Sequence, residues 1–124
     1  MKRLKLKLQL YCGEEIAMGP GKADLLEAIA GTGSISAAAR EMGLSYRRAW
    51  LMVDVMNRCF REKLVESTPG GGQKAGACVS DAGQRALVAY RALQDRVMGV
   101  VPTSEEVLQA MLRDRPAPPE KGKS

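Results

Sequence analysis

The chain has no histidine and only five aromatic residues among its 124: Trp50, Phe60, Tyr11, Tyr46 and Tyr90. Without imidazole the commonest general base is missing, and so is a frequent zinc ligand. No paired acidic motif and no Walker-type phosphate loop take its place, so no catalytic constellation can be named and the chain is not expected to be an enzyme. Cysteine is scarce as well. Cys12, Cys59 and Cys78 are widely spaced and form no C-x-x-C pair, which excludes a structural zinc site by spacing and leaves no cofactor to expect. An odd number of unpaired thiols suits a reducing cytoplasm, with Cys59 and Cys78 read as small packed or semi-buried residues. Long apolar runs are also absent. The leucines near the start are interrupted by lysines, giving no signal-peptide core and no membrane span, so a soluble cytoplasmic protein with no membrane partner is expected.

What is present is positive charge, unevenly spread around a net +5. Lys2, Arg3, Lys5 and Lys7 lead the chain, and Glu14, Glu15, Asp24 and Glu27 follow. Residues 34–61 then hold Arg40, Arg47, Arg48, Arg58 and Arg61 against Glu41 and Asp54. Such a basic face favours phosphate through counterion release. Charge alone leaves DNA, RNA and an acidic lipid surface open.

Within that basic stretch the residue pattern is more specific. Ser34 is placed to cap a helix in which Ile35, Ala38, Ala39 and Met42 recur at i, i+3, i+4 and i+7. Gly43 can end it in a left-handed conformation, Leu44 is an apolar plug, and Ser45 can cap the next helix. In that second helix Ala49, Met52, Val53, Met56 and Phe60 share one face, while Arg47, Leu51, Asp54 and Arg58 lie opposite. Alanine at 38 and 49 suits two helices crossing closely over a three-residue turn. The pattern predicts a helix-turn-helix. Its second helix opens with Tyr46, Arg47 and Arg48, where the helix dipole attracts phosphate and arginine can reach guanine edges. Arg47 is the first choice for base contact.

The flanking segments extend this to a winged helix-turn-helix, mainly α with a small antiparallel β wing and a C-terminal helical extension. Leu4, Leu6, Leu8 and Leu10 alternate with polar residues and predict a half-buried strand, able to join a small sheet. After the breaker-rich residues 13–21, a helix is expected over 22–30. Residues 64–67 and 77–79 are read as the strands of a hairpin, with a glycine-rich tip (Gly70, Gly71, Gly72, Gln73, Lys74) suited to lie along a phosphate backbone. Ser80 is expected to cap a helix to about Met98. Pro102 is expected to stop it, and Thr103 with Glu106 to open a last helix. These two helices are either a dimer interface or a closure of the monomer's own core. The proline-rich residues 115–124 are expected to be disordered. The resulting division is a DNA-binding unit over 1–98, a helix over 99–114 and a tail.

Four segments, Gly-Pro-Gly-Lys (19–22), Thr-Gly-Ser-Ile-Ser-Ala-Ala-Ala (32–39), Gly-Leu-Ser-Tyr-Arg-Arg-Ala-Trp (43–50) and the glycine-rich hairpin before Ser80, together resemble the N-terminal domain of ModE, the molybdate-responsive transcriptional regulator with a LysR-like winged helix. The resemblance covers about residues 3–98. It implies that Ser45, Tyr46, Arg47, Arg48 and Trp50 lie in the recognition segment, Ser34 and Ser36 near the DNA backbone, and Gly71, Gly72, Gln73 and Lys74 in the wing. Trp50 falls between the two faces of its helix, so packing against the hairpin is the competing role. Two departures stand out: Gln73, Lys74 and Ala75 interrupt the family's glycine stretch, and only 26 residues follow Met98. A form without molybdate-binding modules is therefore expected, with molybdate not bound in the family's way.

The function expected is a regulator that binds double-stranded DNA as a homodimer. Two alternatives remain at this level: a winged-helix adaptor for another protein, and a thiol-based sensor working through Cys59.

Overall fold

A computed structural model describes residues 4–68 and 76–120 of the chain, arranged as four helices and two small antiparallel hairpins. The first hairpin pairs β1 (Leu10–Cys12) with β2 (Glu15–Met18), turning at Gly13, whose φ of 60° suits the mirror-image turn that tight hairpins need. Helix α1 (Pro20–Thr32) starts with proline at its first position and ends on Gly33 in the left-handed region. Helix α2 (Ile35–Met42) is capped by Ser34, which accepts from the Ala37 N–H at 2.9 Å, and stops at Gly43 with φ 68°. Helix α3 (Tyr46–Cys59) is capped by Ser45, which accepts from the Arg48 N–H at 3.1 Å. The wing follows as β3 (Val65–Thr68) and β4 (Gly76–Val79), in register from Val65 opposite Val79 to Thr68 opposite Gly76. Ser80 then caps α4 (Asp81–Met111) through the Gly83 N–H. The fold is a winged helix-turn-helix, as the sequence led one to expect.

The core sits between α1, α2, α3 and the base of the wing. Leu25, Leu26, Ile29, Met56 and Leu64 fill it, and Ala38 and Ala49 are fully buried at the approach of α2 to α3. Of the expected core face of α3, Ala49, Val53 and Met56 are buried, while Met52 and Phe60 pack from its margin. Arg91 of α4 holds both Asp24 (2.7 Å) and Glu27 of α1. That clamp is partly exposed, so it orients the two helices more than it stabilises them.

Two expectations are corrected. Residues 4–9 form no strand and do not join the wing. Alternating leucines supply an apolar face, but a strand also needs a main-chain partner, and the available one, β2, pairs only from Leu10 onward. Leu8 alone reaches the core, where its carbonyl accepts from the Tyr90 hydroxyl at 2.9 Å, while Leu4 and Leu6 stay exposed. The second correction concerns Pro102. The helix runs through it without a break, so Thr103 and Glu106 lie inside α4 and not at a new start. Proline removes one helical donor and crowds the preceding turn, a cost of roughly 3 kcal/mol that a helix of eight turns can absorb. Residues 112–120 carry neither helix nor strand, and the rest of the expected tail lies outside the described residues.

Two glycines of α4 make opposite predictions. A Cβ at Gly83 would collide with the Leu64 carbonyl and come within 2.5 Å of Val79 Cγ1, whereas one at Gly99 would meet nothing within 4 Å. In chemical denaturation Gly83→Ala should lose about 1–3 kcal/mol through overpacking. Gly99→Ala should gain up to about 1 kcal/mol from helix propensity.

Candidate nucleic-acid interface

Tyr46, Arg47 and Arg48 form the first turn of α3 and are all exposed, Tyr46 at 56%. Ser45 takes up one of the helix's free N–H groups, and the remainder point out of the same end with the positive pole of the dipole. Among the described residues no carboxylate lies within ion-pairing distance of Arg47 or Arg48. Three other arginines contrast with them: Arg58 pairs with Glu15 and Asp54, Arg85 with Glu62, and Arg91 with Asp24 and Glu27. The helix therefore keeps its leading cations unneutralised while its trailing cation, Arg58, is tied back to β2. Leu51, one turn beyond Arg47, is also exposed.

The helix-turn-helix serines have distinct roles. Ser34 and Ser45 are caps, and Ser36 accepts from Arg40 Nη1 at 3.2 Å on the exposed side of α2. Trp50 is 45% exposed and shares an open groove of about 350 Å³ with Val53, Asn57, Val65, Ser67 and Ala77. It thus borders both α3 and the wing strands. Gly71, Gly72, Gln73 and Lys74 lie outside the described residues.

A residue that joins α3 to the wing at this groove is Asn57, which the sequence pattern did not single out for a role. Its Oδ1 accepts from the N–H groups of Leu64 (2.9 Å) and Val65 (3.1 Å), and its Nδ2 donates to the Val65 carbonyl (3.0 Å). One side chain thus completes the free main-chain edge at the start of β3. The other strand is held from the opposite side. Ala77 N–H donates to the Gly33 carbonyl at 2.9 Å, and a Cβ at Gly76 would lie 2.6 Å from that same oxygen. Only glycine fits there. The wing is thereby anchored at its base to α3 by one strand and to the α1–α2 junction by the other.

Removing the amide leaves two donors and one acceptor without partners in a half-buried position. Asn57→Ala should cost about 1–3 kcal/mol in chemical denaturation. Asn57→Asp should also destabilise, since it keeps the acceptor for both N–H groups but turns a charged second acceptor toward the Val65 carbonyl.

No family model matches the chain. Sequence comparison does find relatives. The chain is 43% identical to the molybdenum-pterin-binding protein MopB of Rhodobacter capsulatus over 91 residues, which are 73% of this chain and 34% of that protein. It is 42% identical to the molybdenum transport protein ModE of Azotobacter vinelandii over 92 residues, 74% of this chain and 34% of that protein. With the DNA-binding transcriptional dual regulator ModE of Escherichia coli it shares 38% identity over 87 residues, 70% of this chain and 32% of that protein. The chain spans about a third of the length of these relatives. Joined to a winged fold that leads with exposed arginines, these matches make the chain a homologue of the ModE and MopA/MopB proteins that carries a ModE-like N-terminal domain.

Proposed function

We propose that the chain is a DNA-binding transcriptional regulator that inserts the N-terminal end of α3 into the major groove. The observation that carries this is the pair Arg47 and Arg48, exposed at a helix start and free of carboxylate partners among the described residues. An arginine there can pair in bidentate fashion with guanine O6 and N7, and the exposed Leu51 suits a thymine methyl. Tyr46, Ser36 and Arg48 suit phosphate contacts on either side, and Trp50 lines the groove that a backbone would follow toward the wing. The DNA-binding regulator among the relatives supports the same reading.

The reader acts as a homodimer on an inverted repeat, with α4 as the joining element. Its 31 residues span roughly 46 Å at 1.5 Å per residue. Beyond the core-facing Leu87 and Tyr90 it exposes Leu93, Met98, Val100, Val107, Leu108 and Met111. Single exposed apolar residues are ordinary, but a succession of them along one helix is a surface to be buried. A two-fold pairing of α4 buries it and sets two recognition helices about 34 Å apart, one turn of DNA.

Selection from random oligonucleotides with purified protein, at fixed salt, should enrich a symmetric site. Recovery of sequences with no shared motif would overturn the reading. Arg47→Ala should relax preference at one position of each half-site and weaken the selected site by about 1–3 kcal/mol. The double substitution Val107→Glu and Met111→Glu should yield monomers in sedimentation analysis. It should leave single half-site contacts intact while abolishing tight binding to the full repeat.

A further inference from the structure

Two of the three cysteines, 47 positions apart in sequence, meet at the back of the recognition helix. Cys12 closes β1 and stands opposite Glu15 across the first hairpin. Glu15 pairs at 2.8 Å with Arg58, the neighbour of Cys59 at the end of α3. The hairpin register and the ion pair therefore bring the two cysteines to the same end of α3, where the Cys12 and Cys59 side chains interact. Cys78 stands apart, on the exposed side of the wing strand β4.

We propose that Cys12 and Cys59 are a peroxide-responsive pair that closes to an intramolecular disulfide, tying the first hairpin to the C-terminal end of α3. Exposure differs between the two in the way such a pair requires. Cys12 is open to solvent and meets the oxidant, whereas Cys59 is half-buried behind it. Burial pushes the Cys59 thiol up, contact with Cys12 adds to this, and Arg58 opposes it. The Cys12 thiolate attacks a peroxide oxygen; the O–O bond breaks, and the leaving hydroxide takes a proton to become water, leaving a sulfenic acid. Cys59, losing its proton, attacks that sulfur; the S–O bond breaks and a second water departs. Two thiols are oxidised and one peroxide is reduced to two waters.

The bond would lie at the far end of α3 from Arg47, so it braces the helix without covering the reading end. It also encloses α1 and α2 in one covalent loop. The inference does not depend on DNA binding, because its readout is thiol chemistry alone.

The reduced full chain, treated with a small excess of hydrogen peroxide, should fall from three titratable thiols to one while remaining free of intermolecular crosslinks. Peptide mapping should show Cys12 joined to Cys59, and dithiothreitol should restore all three thiols. Cys78→Ser should still form the link, and Cys12→Ser, a change at an exposed position, should not. A link through Cys78, a bond between chains, or three thiols surviving exposure that oxidises free cysteine would each overturn the proposal.

Discussion

The three hydrogen bonds of the Asn57 amide set the relation between the recognition helix and the wing. A two-stranded hairpin has little stability of its own and packs where its free edge is completed. Here α3 completes that edge with a side chain, which joins the helix to the base of the wing. The Gly33 carbonyl does the same for β4 from the α1–α2 junction. The candidate interface is therefore assembled from polar contacts to main chain, while the apolar core behind it supplies the stability.

Charge is partitioned on the same plan. Acidic residues of β2 and α1 hold Arg58 and Arg91. Those pairs are exposed and worth little individually. Their effect is on distribution: Arg58 is tied back at the end of α3 while Arg47 and Arg48 stay unpaired among the described residues at its start, where the helix dipole adds to their charge.

Much of this was legible in the sequence because its signals are local. Ser34, Gly43, Ser45 and Ser80 act through neighbours within four residues, and each helix start and stop they mark is where the structure has it. Ala38 and Ala49 could be read because small residues recur where helices cross. The misreadings are of two kinds. Leucine alternation over 4–10 gave a face without a pairing partner, and Pro102 carried a breaking tendency that the long helix α4 absorbs. The links that complete the candidate interface were not legible at all. Asn57 meets main chain seven and eight residues away, Gly33 meets Ala77, and Cys12 meets Cys59. None of these has a periodic signature, since each is decided by tertiary packing.

Trp50 is the only tryptophan in the chain, and it stands half open in the groove between α3 and the wing, not in the core. Its indole emission consequently carries no background from buried relatives. Hydration of that groove, quenching by a stacked or adjacent base, and loosening of the wing from α3 all fall on one chromophore. The chain thus holds a built-in optical probe at the surface where its partner is expected to arrive, and titrations can be followed without attaching a label.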